Sequence, residues 1–190
     1  MSDTRDRIVE ATSALFMQQG YSATGLKAIA DAGEATTGSL YHFFPGGKAE
    51  LAAATLRHSG AAYEALVTAV FDAAPDLVTG VAACFDGAAE LLRATDYADA
   101  CPIAAVALEV ASSDEPLRLV TAEVFASWHV ACRARMVAGG LSPERAEELA
   151  TVLVAGLEGG FLLSRAAKDA TKVETIGRSM VQLVEAALAG

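Results

Sequence analysis

The chain has 190 residues, 53% hydrophobic and 20% charged, which is too apolar for a disordered polymer and long enough for one domain with a sizeable core or a small module joined to a larger one. Fourteen Lys and Arg against 24 Asp and Glu leave a net charge of −10, excluding a global positive field that would hold the protein on nucleic acid or an anionic membrane. The imbalance is uneven: residues 1–58 carry five basic and six acidic side chains, residues 59–190 nine and eighteen, so any such contact has to be local.

In chain order, Ile8, Ala11, Thr12, Leu15 and Phe16 share one face of a first helix that Ser2, Asp3 or Thr4 can cap and Gly20 can stop. Leu26, Ile29 and Ala30 repeat the spacing in a short second helix, with Thr24 as its expected cap and Gly33 near its end. Thr36 or Thr37 can cap a third, through Leu40, Tyr41 and Phe43, which Pro45-Gly46-Gly47 must end. A longer helix from Lys48 to about Phe71 links this region to the rest. Beyond Pro75 the helical period returns with Leu77, Val81, Phe85 and Leu92, and after Pro102 with Ile103, Val106 and Val110. A helix from Pro116 to about Ala138 is closed by Gly139-Gly140, and Ser142-Pro143-Glu144 opens the next.

The last two helices, expected at about 143–167 and 172–188, hold little charge on their apolar faces. Leu149, Leu153, Leu157 and Phe161 lie beside Gly156 and Gly160 in one; Val173, Ile176, Met180, Val184 and Leu188 mark the other. Glycines four apart allow close helix approach, and Leu153, Gly156, Leu157, Gly160, Ile176, Met180 and Val184 are the expected homodimer interface, with two buried helices of a monomeric core as the alternative. No strand pattern occurs. Cys84, Cys101 and Cys132 are odd in number and far apart, so neither a disulfide framework, a metal site nor a cofactor is expected. Apolar uncharged stretches stop at nine residues, short of the ~20 a bilayer requires, which predicts a soluble, cytoplasmic protein without a membrane partner.

Residues 20–51, GYSATGLKAIADAGEATTGSLYHFFPGGKAEL, resemble the helix-turn-helix of the TetR family of transcriptional regulators at Gly20, Tyr21, Thr24, the Leu26/Ile29/Ala30 face, Gly38, Leu40, Tyr41, Phe43, Lys48 and Leu51. CPIAAVALEV followed by DEPLR is similar to the LmrA/YxaF-like branch. The resemblance implies an all-α protein with a helix-turn-helix DNA-binding domain at 1–50 and a larger helical ligand-binding and dimerisation domain at 51–190. The third helix would enter the major groove, with its amino-terminal N–H groups favouring a phosphate and Thr37 and Ser39 reaching base edges. Thr24, Lys27, Thr36, Thr37, Gly38, Ser39, Tyr41, His42 and Lys48 are the candidate DNA contacts; Thr24, Tyr41 and Lys48 match positions that bind phosphates in the family. Thr24 as a mere cap, Tyr41 as partly core and His42 as a solvated surface residue are the bland readings. Two departures stand out: Glu34 replaces the usual turn glycine, and no Lys or Arg occurs between Ala35 and Gly47.

The family binds small, lipophilic or aromatic effectors in its carboxy-terminal region. Tyr63, Phe85, Cys101, Phe125, Trp128 and Phe161 are the candidate lining there, with core packing as the default for each. His129 and Glu109 are further candidate polar contacts, and residues satisfied on their own helix faces are the alternative. The implied partners are a (pseudo)palindromic double-stranded operator, a small-molecule effector and a second copy of the chain. Enzyme signatures are missing: there is no His-Glu-x-x-His, nucleophile elbow, phosphate loop or dinucleotide fingerprint. The alternative class is an all-helical small-molecule-binding protein without DNA binding, which the net charge and the uncharged third helix would suit.

Overall fold

The computed structural model describes residues 3–99 and 101–190; Ser2, one of the possible first caps, lies outside them. Among the described residues there are nine helices and no strand: α1 (Thr4–Gln19), α2 (Leu26–Ala32), α3 (Thr37–Phe43), α4 (Gly47–Ala73), α5 (Leu77–Ala94), α6 (Pro102–Val110), α7 (Glu115–Ala138), α8 (Pro143–Ala167) and α9 (Thr171–Ala189). They group into two compact units, one of residues up to Ala61 with 99–124, the other of 62–98 with 125–190. This division departs from a simple boundary at residue 50. α6 packs on α1 and buries Ile103, Val106 and Val110, so its segment joins the amino-terminal helices although it lies far along the chain.

In the first unit, Ile8 and Val9 of α1, Ile29 of α2, Leu40 of α3, Phe44 just after α3, and Leu51 of α4 form one core. Asp3 takes the α1 N-cap position, and Gly20 ends the helix at φ +79°, its N–H bonding Phe16 O at 3.0 Å. The left-handed backbone suits glycine. Gly25, not Thr24, occupies the N-cap of α2. Thr24 is fully buried instead, its hydroxyl donating to Gly20 O at 2.7 Å and accepting from Gln19 Nε2 at 3.2 Å. It staples the α1–α2 turn. Thr36 caps α3 by accepting from Ser39 N–H at 3.0 Å, and the chain leaves α3 through Phe44 and Pro45. Glu34, at the position where glycine is usual, adopts φ +49°.

In the second unit, α5, α8 and α9 pack on one another around Val81, Phe85, Leu92, Leu149, Leu153, Val173, Met180 and Val184. Asp76 caps α5 by accepting from Thr79 N–H at 2.8 Å, and Ser142 caps α8 from Arg145 N–H at 3.2 Å, with Pro143 at the first helical position. A Cβ at Gly160 would lie 2.8 Å from Val173 Cγ2, and one at Gly156 3.0 Å from Ile176 Cγ2. Both glycines therefore seat α8 against α9 of the same chain. Leu153, Met180 and Val184 are likewise buried within the protomer, and Leu157 and Ile176 pack against the same core. Of the seven residues expected at a surface between copies, Leu153, Gly160, Met180 and Val184 are thus buried between helices of one chain, and Gly156, Leu157 and Ile176 are half-buried beside them. A helix pair buried inside one chain and a pair buried between chains leave the same apolar period, so the pattern alone does not separate them.

The outer face of α8 is a different set. Val152, Ala155, Leu162, Leu163 and Ala166 are exposed at spacings that place them, with Gly159, on one side of the helix. Leu183 and Leu188 are exposed on α9. α8 is also, among the described residues, the one helix long and apolar enough to cross a membrane by length and composition, since an 18-residue window tolerates isolated charges that end an uncharged run. Its other side, at Leu149, Leu153, Gly160 and Ser164, is buried in the protomer.

Candidate nucleic-acid interface and effector region

The solvent side of α3 presents Thr37, Gly38, Tyr41 and His42, while Leu40 on the opposite side is fully buried and fixes the helix on the core. Tyr41 is 50% exposed, so its phenol is a surface group. His42 meets Phe43 edge-on at 5.1 Å. Thr36 and Ser39 are engaged with each other, their hydroxyl oxygens 3.0 Å apart, and serve first to cap the helix. Thr37 is left as the exposed hydroxyl-bearing residue in the first turn, at the end where the helix dipole is positive.

Cations surround this face and do not lie on it. The Arg5 guanidinium sits 5.4 Å from the centroid of the Phe44 ring, just after α3. Lys27 is exposed and pairs with Asp31 at 3.3 Å, a solvated contact of little net energy. Arg7 Nε donates to Gly33 O at 3.3 Å, tying α1 to the end of α2. Lys48, in the first turn of α4, is half-buried with Nζ 4.3 Å from the Tyr21 ring centroid and 3.5 Å from Ser22 O. Burial pulls its pKa below the usual lysine value, against the opposing charge of Glu109. Thr24, the remaining phosphate candidate, cannot offer its hydroxyl in this arrangement because that group is buried and doubly bonded.

Sequence reasoning did not find the role of Glu109. It reaches from α6 to the α1–α2 turn, where its carboxylate accepts from Tyr21 N–H at 2.8 Å and Ser22 N–H at 2.7 Å. Burial raises its pKa, but hydrogen bonds from Ser22 and Tyr21 and the Lys48 charge outweigh this and hold the carboxyl below its ordinary range. It belongs to the first unit, and its carboxylate is engaged there.

Of the six residues expected to line an effector cavity, three come together in the second unit. Trp128 lies 6.1 Å from Tyr63 and 5.4 Å from Phe125, ring centroid to centroid, and all three are half-buried. Phe85 is 1% exposed and wedged against Gly177, so it is core, and Phe161 packs against that core. Cys101 belongs to the first unit, where its Sγ accepts from Ala104 N–H at 3.4 Å and caps α6. His129 ties α7 to α8 through Thr151 Oγ1 at 3.0 Å and Glu147 O at 3.2 Å. A groove of about 560 Å³ does occur in this unit, between α5 and α9, but Asp86, Glu174, Arg178 and Glu185 make its walls polar, and only Phe85 of the expected six touches it.

Comparison with known proteins agrees with this arrangement. Residues 8–55 match the model for bacterial regulatory proteins of the tetR family, and residues 78–179 match the carboxy-terminal domain of LmrA/YxaF-like transcriptional regulators. The chain is 36% identical over 182 residues to the uncharacterized HTH-type transcriptional regulator YxaF of Bacillus subtilis, covering 96% of this chain and 95% of that protein. It is 32% identical over 183 residues to the HTH-type transcriptional regulator LmrA of the same organism, covering 96% and 97%. The fold is shared with a TetR transcriptional regulator from Legionella pneumophila, at a TM-score of 0.83 and 23% identity over 96% of this chain and 97% of that one. With its amino-terminal helix-turn-helix and its LmrA/YxaF-like carboxy-terminal domain, the chain belongs to the TetR family and is a transcriptional regulator rather than an enzyme.

Proposed function

We propose that the protein is a cytoplasmic, homodimeric repressor that a small lipophilic or aromatic molecule releases from a (pseudo)palindromic operator. The observation that carries the DNA-binding half is the outer face of α3: a capped first turn with Thr37 and Gly38 exposed, Tyr41 and His42 beside it, and Leu40 locking the helix from behind. In this reading Thr37 touches base edges, Tyr41 and Lys48 hold phosphates, and Arg5 and Lys27 add peripheral charge. Thr36 and Ser39 shape the turn, and Gly38 lets the backbone come close.

Two copies are needed to span a two-fold operator, and the exposed face of α8 with Val152, Leu162 and Leu163, together with Leu183 of α9, supplies a self-complementary apolar surface for them. The Tyr63/Phe125/Trp128 cluster is where an aromatic effector would dock. An effector that favours a spacing of the two reading helices unsuited to DNA weakens operator binding by the factor with which DNA weakens its own binding. The test is a mobility shift with the DNA upstream of the protein's own gene. Retardation that survives random competitor supports the proposal, and no retardation at any protein concentration favours a small-molecule-binding protein without DNA binding.

A further inference from the structure

We propose that Glu109 is a positioning residue for DNA binding: it fixes the α1–α2 turn so that the Tyr21 ring seats the Lys48 ammonium for a phosphate. The inference rests on the reading of Lys48 as a phosphate contact. Glu109 is 88 positions from Tyr21, yet each of its carboxylate oxygens takes one of two consecutive backbone N–H groups, at 2.8 and 2.7 Å. Such charge-assisted bonds hold a loop in one place. The space they need is left open by Gly20, where a Cβ would lie 2.1 Å from Glu109 Oε1.

What the carboxylate holds is the platform under Lys48. The Tyr21 ring meets Phe16 edge-on at 5.8 Å, and Lys48 Nζ lies 4.3 Å from its centroid. The same Nζ is 3.5 Å from Ser22 O. Lys48 thus touches both residues whose N–H groups Glu109 binds, and it forms no salt bridge among the described residues. A lysine seated before DNA arrives loses less side-chain freedom on binding. The carboxylate also repels a phosphate, but across ~10 Å of water that costs only about a factor of two. Positioning should win.

The test measures affinity for a random-sequence duplex at several salt concentrations, because phosphate contacts are independent of sequence. Four proteins are compared: the parent, Glu109→Gln, Lys48→Ala and the double variant, each first checked for folding by circular dichroism and melting. Glu109→Gln should weaken binding about 3- to 10-fold near 0.1 M salt and lower the slope of log affinity against log salt by about one. In the Lys48→Ala background it should do neither. Tyr21→Leu, which removes the ring and leaves both N–H groups, should behave alike and serves if Glu109→Gln does not fold. Equal losses in both backgrounds, or tighter binding by Glu109→Gln, overturn the inference while leaving Lys48 as a phosphate contact. If Lys48→Ala alone changes neither affinity nor slope, the underlying reading fails, and the inference with it.

Discussion

Two adjacent glycines in α8 should respond to substitution in opposite ways. Gly160 is buried against Val173, with Cγ2, Cβ and Cα lying 2.8, 3.1 and 3.3 Å from where a Cβ would be. The last of these is backbone, so α8 and α9 must separate to admit even a methyl group. Overpacking of this kind costs about 1–3 kcal/mol, and replacing a mid-helix glycine with alanine returns about 1 kcal/mol. Gly160→Ala should therefore lose up to about 2 kcal/mol, which for a chain of this size lowers Tm by as much as roughly 8 °C at fixed protomer concentration. Dimerisation should persist. Gly159 has no atom within 4 Å of its would-be Cβ and lies on the outer face with Val152 and Leu163. Gly159→Arg should leave the protomer folded and move the sedimenting species from two chains to one at micromolar concentration, because it buries an unpaired charge at the proposed interface. The reasoning is refuted if Gly160→Ala melts with the parent while splitting the dimer, or if Gly159→Arg sediments as two chains.

Further outcomes follow from other parts of the structure. With Arg5, Lys27 and Lys48 as the cations proposed to meet phosphates in each protomer, a dimer bound through them should show a salt slope of about −5, and Thr37→Ala should change the ranking of operator bases by ~1 kcal/mol without changing that slope. Footprinting affinities at several salt concentrations measure both. Trp128→Ala should weaken binding of a lipophilic aromatic effector by tenfold or more and leave operator affinity nearly unaltered; equal effector affinity in a fluorescence or calorimetric titration removes the aromatic cluster from the site. Glu34→Gly should raise stability by about 0.5–1 kcal/mol, since φ +49° costs a side chain about 1–2 kcal/mol and glycine's extra unfolded-state freedom takes part of that back; denaturant midpoints report it. Burial pushes the Cys84 thiol up to about 12 and the Cys132 thiol up to about 11, while an unfolded cysteine titrates near ~8.5. Their contribution to stability is thus full below the unfolded value and is lost as pH rises toward the folded ones. An aromatic disulfide reagent at pH 8 should label neither until denaturant is added.

Local chemistry made the reading helix legible. Thr36, Leu40 and the Pro45-Gly46-Gly47 stop act within a few residues of one another, so a cap, an anchor and a terminator could be recognised in order. The residues expected between copies were less legible, for the opposite reason. The period of Leu153, Gly156, Leu157 and Gly160 says only that the face is covered, and the covering helix turned out to be α9 of the same chain. Thr24 shows a subtler limit: a threonine before a short helix usually caps it, but one residue of offset turned its hydroxyl back onto Gly20 O. Glu109 left no local trace at all, because the Tyr21 and Ser22 N–H groups and a carboxylate 88 and 87 residues on from them meet only once α6 packs on α1.

The mutual bond between Thr36 and Ser39 narrows the vocabulary with which this protein can address a gene. With those hydroxyls engaged with each other and no lysine or arginine on the helix, discrimination would fall to a threonine methyl and hydroxyl, a phenol and an imidazole, all on short side chains. Salt would then erode affinity for the chosen site and for bulk chromosome in step, and the ratio between them would stay nearly constant across the ionic strengths a cell encounters. Osmotic stress would change how much of the regulator is bound, but hardly which sequence it prefers.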